Sequence, residues 1–233
     1  SIGVFLESFE SLGLSDNTYI FFTSDNGGMP VLPQQVNLGT PYVRGLNTPL
    51  LRGKWDLTEG GIRVPFAVTG PGVMKNSQSD TPVVSYDVLP TIFELASGSI
   101  KGLPERLDGG SLRDLIEGRS KVVERPSEYL VFHYPHYNRV GMNEPHSSIR
   151  GGNMKLIRFP VSKRELLFDL SNDPGERNNL AVKQKDLVDE LDSELTKYLL
   201  SVDAERPEEV FNWHTTGKSG EIRTRFFQRY EGE

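Results

Sequence analysis

Cysteine is absent from the 233 residues, which excludes disulfides and thiolate metal sites and leaves the redox compartment open. No apolar run approaches the roughly 18 residues of a membrane-spanning helix, so no membrane span is expected. Near Ser1 no basic segment leads into an apolar stretch in the manner of a secretory leader. Positive charge is scarce as well. A formal net charge of −6 and a pI near 5.4 provide no global field for nucleic acid or sulfated polysaccharide. No nucleic-acid partner is expected, and anion recognition must be local. Arg223, Arg225 and Arg229 with Phe226 and Phe227 between them are the one basic aromatic cluster, read as an amphipathic terminal segment that covers the body. Hydrophobic residues make up 36%, low but compatible with a buried core in one large domain or two small ones. Internal repeats and low-complexity tracts are also missing.

What is present alternates between helical and extended patterns. Ile2, Phe5, Leu6, Phe9 and Leu12 recur at helical spacing up to Gly13, and residues 18–23 are β-branched and aromatic. A helix followed by a buried strand is the alternation of an α/β sheet, whose ligands collect beyond the carboxyl ends of strands. Residues 65–69 form a second short strand ended by Gly70-Pro71-Gly72. Residues 86–96 form a helix that Ser85 or Asp87 can cap, with Pro90 tolerated in or beside the first turn. Beyond a boundary near residue 124, three strand-like pieces at 129–133, 148–159 and 165–170 suit a small antiparallel sheet. Leu187, Leu191, Leu195 and Leu199 mark an amphipathic helix packed on that sheet.

Two segments carry chemistry. Ser24-Asp25-Asn26-Gly27-Gly28 places hard oxygen ligands at the end of the first strand. By itself such a run is an ordinary turn, since Asp and Asn bond their own backbone and Gly permits positive φ. About one loop later comes Arg52-Gly53-Lys54-Trp55-Asp56-Leu57-Thr58-Glu59-Gly60-Gly61-Ile62-Arg63-Val64-Pro65, with a cation between glycines where a bound anion would sit. Together they suggest a metal-and-oxyanion site. The loop at 27–53, rich in Pro, Gly, Asn and Gln, is read as bordering a substrate pocket. Glu59 and Arg63, four residues apart, are read as pairing with each other or with backbone to shape the second segment.

These residues resemble the sulfatase family, a branch of the alkaline phosphatase superfamily. The resemblance implies that Asp25 and Asn26 bind calcium and that Lys54 contacts the substrate sulfate. It implies an α/β fold: the C-terminal part of an alkaline phosphatase-like mixed sheet with flanking helices, plus a small antiparallel sheet packed by a helix. Residues 1–124 would be the C-terminal part of the catalytic domain, 125–201 a small α+β subdomain and 202–233 a C-terminal extension. Sulfatases also need an N-terminal Asp-Asp pair and a Cys/Ser-x-Pro-x-Arg segment whose first residue becomes formylglycine, the nucleophile. With no cysteine and no Ser-x-Pro triplet, the chain is expected to be the C-terminal portion of a sulfatase, inactive alone. Its parent would be a periplasmic or secreted hydrolase of aryl or carbohydrate sulfate esters. Phosphate or phosphonate ester hydrolysis, and a non-catalytic module that binds sulfated glycans or another polypeptide, are the alternatives.

His133-Tyr134-Pro135-His136-Tyr137 is suited to substrate contact at a pocket rim or to packing, with His136 the farther into its loop. Pro135 argues against metal chelation from regular structure, and His146 is the nearest third ligand. The run from Glu165 to Ala181 is a sulfatase signature read as structural, a turn at Asp173-Pro174-Gly175 followed by a cap from Asn178 or Asn179. Lys155 reads as a solvated strand residue. A sheet divided in this way would leave an unpaired edge and an apolar face, so self-association is expected.

Overall fold

The computed structural model describes residues 2–29, 47–137 and 144–207. The interior of the 27–53 loop and the tail containing Trp213, His214 and the basic aromatic cluster lie outside the described residues. The elements are α1 (Ile2–Ser11), β1 (Ile20–Thr23), the short turn α2 (Glu59–Ile62), β2 (Phe66–Thr69), α3 (Val88–Ser97), the short turn α4 (Arg113–Ile116), β3 (Tyr129–Tyr134), β4 (His146–Gly151), β5 (Met154–Phe159), β6 (Arg164–Asp169) and α5 (Lys185–Ser201). Contacts divide them into two units. Ser1–Ser24 groups with Pro65–Glu128, and Asp25–Val64 groups with the chain from Tyr129 onward.

In the first unit β1 and β2 pair antiparallel, Ile20 opposite Thr69 and Thr23 opposite Phe66. Helix α1 has the expected periodicity but buries no residue. Order around α3 comes instead from a buried carboxylate. Asp87 accepts the Val84 N–H at 2.9 Å and the Gly110 N–H at 3.0 Å, and Arg125 donates to both its oxygens at 2.8 and 2.6 Å. Asp87 therefore caps backward onto Val84, while Thr91 Oγ1 donates to the Asp87 carbonyl at 2.6 Å and accepts the Leu112 N–H at 2.8 Å.

The second unit holds a four-stranded antiparallel sheet in the order β3-β4-β5-β6. The stretch 148–159, expected as one strand, is two. It breaks at Gly152-Asn153, where Gly152 takes φ 56°, and Ile149 lies opposite Leu156 across the resulting hairpin. Both faces of β5 and β6 are covered, so their apolar residues run consecutively. On one face Val188, Leu191 and Leu195 of α5 cluster with Ile149, Leu156 and Leu167. Leu187 and Leu199 fall to the margins, because a four-residue repeat drifts about 40° per step around a helix of 3.6 residues per turn. On the other face Ile157, Phe159, Leu166, Phe168 and Leu170 form a second cluster, and Leu51 packs on it. The chemistry-bearing segment thus rests on the sheet face opposite the helix.

Candidate metal and oxyanion site

Main-chain bonds draw the two chemistry-bearing segments together. Gly27 N–H donates to the Gly61 carbonyl at 2.9 Å and Lys54 N–H to the Gly28 carbonyl at 3.1 Å. Asn47 completes a clasp. Its Oδ1 accepts the Gly28 N–H at 3.0 Å, and its Nδ2 donates to the carbonyls of Gly28 at 2.9 Å and Arg52 at 2.8 Å. This proximity demands glycine. A Cβ on Gly27 would lie 1.7 Å from the Gly60 oxygen, and one on Gly53 would lie 2.0 Å from the Gly28 oxygen.

Asp25 is exposed and its Oδ1 accepts the Asn26 N–H at 3.0 Å. Asn26 is half-buried, and its Nδ2 donates to the Gly27 carbonyl at 3.0 Å, which fixes the rotation of the amide. A carboxylate and an amide oxygen are the donor chemistry of a hard divalent cation, but they are only part of a shell of six to eight oxygens. Among the described residues no cluster of three or more His, Asp or Glu adds to them.

Lys54 is half-buried between two strained residues. Arg52 has φ 58° and Trp55 φ 77°, a left-handed region unfavourable to bulky side chains. The strain is held by Arg52 Nε, 2.5 Å from Oδ2 of the buried Asp56, and by the bonds that Asn47 and Gly28 make to this segment. The Lys54 ammonium lies 5.8 Å from the centroid of the Trp55 ring, within range of a cation–π attraction that limits where the flexible stem points.

Beneath these segments lies a buried charged cluster. Lys155 Nζ donates to Glu59 Oε1 at 3.0 Å and stands 2.8 Å from Glu176 Oε1, with all three side chains almost fully buried. Glu176 Oε2 accepts the Glu59 N–H at 2.7 Å. Arg63, more than half exposed, reaches within 3.8 Å of Glu59 Oε2. Burial pushes the Glu176 carboxyl above the ordinary carboxylate range, against the pull of Lys155.

His146 supports the same segment from β4. Its Nε2 accepts the Leu57 N–H at 3.1 Å, so Nδ1 carries the proton, which it donates to the Glu144 carbonyl at 2.8 Å. Burial, with smaller contributions from Arg52 and Lys155, lowers its pKa to about 4, and the ring is neutral at pH 7. With both nitrogens engaged, His146 is a brace and does not complete a histidine metal site.

Family models match along the described chain. The model for sulfatases covers residues 1–99, and that for N-sulphoglucosamine sulphohydrolase, C-terminal, covers residues 53–205. The chain belongs to the sulfatase family. Human steryl-sulfatase is 32% identical over 211 residues, 77% of this chain and 34% of that protein. The ulvan-active sulfatase of Formosa agariphila is 30% identical over 203 residues, 85% of this chain and 36% of that protein. A solved Bacteroides thetaiotaomicron structure, described with the metabolism of multiple glycosaminoglycans, aligns with a TM-score of 0.63 at 27% identity, over 86% of this chain and 42% of that one. The sulfatase chain therefore spans about a third to two fifths of the length of these relatives, and its α/β architecture is that of sulfatases in the alkaline phosphatase superfamily.

Within this sulfatase chain the backbones of the Asp25-Asn26 turn and the Lys54 segment come together, whereas the histidines expected at a pocket rim, His133 and His136, differ from each other. His133 has both ring nitrogens engaged, one 2.8 Å from Ser147 Oγ and the other 2.8 Å from the Glu205 carbonyl. His136 is exposed, edge-on to Tyr134 with 5.4 Å between ring centroids. Lys155, expected in solvent, is instead the centre of the buried cluster, because β5 is covered on both faces. Asn47 and Glu176 are the other supports that sequence reading passed over. A visible trace existed for Lys155, a charge flanked by Met154, Leu156 and Ile157 in a strand with apolar residues on both faces. None existed for Asn47, which lies in a loop without periodicity.

Proposed function

We propose that this sulfatase chain supplies the metal-and-sulfate side of a sulfate ester hydrolase, with Asp25 and Asn26 as calcium ligands and Lys54 as the group that meets the sulfate. The observation that carries this reading is the Lys54 N–H bond to the Gly28 carbonyl, reinforced by Asn47, since it fixes the ammonium-bearing backbone beside the metal-ligating turn. Bound calcium would neutralise sulfate charge and orient its oxygens. Asp25 brings a negative charge and Asn26 a neutral oxygen, so their share of the shell leaves net positive charge for the anion. Lys54 donates to the ester oxygen, where negative charge grows as the S–O bond breaks, and its preset geometry limits reorganisation at that moment. His136 is the side chain we assign to the substrate beyond the sulfate; His133, whose ring is engaged within the protein, orients the strand that leads to it.

The nucleophile in this reading is a formylglycine carried by polypeptide outside residues 1–233, and those residues alone are inactive. Residues 1–124 act as the C-terminal part of the catalytic domain and 125–201 as its small subdomain. Aryl or carbohydrate sulfates are the substrate class in this reading, and a periplasmic or extracellular location is proposed with it, supported by the likeness to an ulvan-active sulfatase and to a structure described with the metabolism of glycosaminoglycans. Among the described residues no helix is long and apolar enough to cross a membrane.

The test is hydrolysis of an aryl sulfate by the enzyme carrying this segment. Lys54→Ala should lower kcat by about 10²–10³-fold, the range for losing one preorganised charge-stabilising donor. Asp25→Ala should weaken calcium binding by titration calorimetry. Unchanged turnover in the lysine variant sinks the assignment, and preferential turnover of the matching aryl phosphate moves the reaction to phosphorus esters.

A further inference from the structure

The cluster of Glu59, Lys155 and Glu176 has an unfavourable composition: two buried carboxylates share one buried ammonium, with the charges of the more exposed Arg63 and of Arg150 acting on Glu59 from outside. A buried ion cluster of this kind is poor value as a stabiliser compared with apolar side chains of the same volume, and retention of such groups is best attested where they specify a geometry. Glu176 is also held at φ 52°, a left-handed conformation disfavoured for its side chain. That backbone aims one carboxylate at two targets, the Lys155 ammonium through Oε1 and the Glu59 N–H through Oε2.

The connections from Glu59 lead to both halves of the candidate site. Lys155 sits on β5, an interior strand paired on both sides, so it is fixed by the most constrained part of its unit. Lys155 and Glu176 fix the side chain and N–H of Glu59. The next residue, Gly60, donates its N–H to the Leu51 carbonyl at 2.9 Å, and Gly61 accepts the Gly27 N–H at 2.9 Å. Leu51 leads directly into Arg52, Gly53 and Lys54, and Gly27 follows Asn26. A Cβ on Gly60 would lie 2.2 Å from the Leu51 oxygen, so the turn at Glu59 has no slack against the lysine segment.

We infer that Lys155, with Glu176, is a positioning residue of the sulfatase site: the buried cluster transfers the rigidity of β5 to the Glu59 turn and so sets the register between Lys54 and the Asp25-Asn26 pair. The catalytic part of this inference rests on the proposed function, whereas its geometric part does not. Lys155→Met and Glu176→Gln separate the two. In Lys155→Met, amide hydrogen exchange at Gly27, Lys54 and Gly60 should accelerate about tenfold or more while the Leu156 and Leu167 amides keep their protection, the pattern of a local opening. Aryl sulfate turnover should fall about 100-fold, mainly in kcat, as expected for misplacing a reacting group by about an ångström. Glu176→Gln, which keeps an acceptor for the Glu59 N–H, should retain Gly60 protection and stay within several-fold of wild-type kcat, in contrast to Glu176→Ala.

Unchanged exchange at all three amides in Lys155→Met overturns the inference, as does acceleration spread evenly over β5 and β6. If Lys155→Met does not fold, the alanine and glutamine variants at 176 decide, and equal exchange and kcat in both overturn it. A wild-type enzyme without activity on sulfate esters removes the proposed function, yet leaves the exchange comparison as the judge of the positioning role.

Discussion

Helices α1 and α5 begin from the same sequence pattern and end in opposite environments. In α5, Val188, Leu191 and Leu195 are buried against the four-stranded sheet, and Leu195 has no exposure at all. In α1, Ile2, Val4, Phe5 and Leu6 are exposed and no residue is buried. The contrast extends to their units. Nearly every residue of the buried apolar core lies in the second unit, with Leu112 and Val123 the exceptions, whereas most exposed large apolar residues lie in the first. The first unit depends on a polar hub at Asp87, and the second combines a two-faced apolar core with a charged cluster. Periodicity thus reports which side chains share a face, and only the availability of a partner surface decides whether that face contributes to stability.

Substitutions can break this comparison. Asp87→Ala should have the largest effect, since it leaves the mostly buried Arg125 without its carboxylate partner and two backbone amides without their acceptor. A loss of about 3–5 kcal/mol is expected in denaturant unfolding. If it costs under about 1 kcal/mol, the polar hub is not what orders the first unit. Leu195→Ala should cost about 2–5 kcal/mol through lost burial and the cavity left between α5 and the sheet.

Acid should weaken the second unit through His146. Between pH 6.5 and about 4 the unfolded chain binds a proton there that the folded chain excludes. Stability therefore falls as pH drops through that window, by roughly 3 kcal/mol at its acid end. Glu176 acts with the opposite sign: its raised pKa makes the fold lose stability as pH rises past the ordinary carboxylate range. The difference between wild type and His146→Gln, measured at pH 7 and pH 4.5, isolates the histidine, and equal differences at the two pH values would exclude its role. Phe5→Ala should change unfolding free energy by less than about 0.5 kcal/mol, as for an exposed surface site. It should, however, reduce the concentration-dependent light scattering expected if copies of the chain associate through α1.

The sequence made the ends of the candidate site visible because their residue types are chemically unusual together: Asp25 and Asn26 after a strand, and Lys54 among glycines. It made α5 visible through a period that survived into packing. The supports beneath were hidden by distance along the chain. Lys155 meets Glu59 across 96 positions, and nothing beside either residue announces the other. The break between β4 and β5 was obscured because only Gly152-Asn153 separates the two strands. A glycine in such segments ordinarily serves a tight turn. At Gly27 and Gly53 the reason is instead another backbone passing too close for any side chain.

The Asn47 clasp has a consequence for divergence. By gripping Gly28 on one side and Arg52 on the other, it pins the entry and exit of the intervening stretch to one spot. Doubling the length of such a stretch costs only about 0.6 kcal/mol in closure entropy. Changes in the length of the chain between those anchors are therefore cheap in closure entropy, because a single asparagine holds both of its ends together.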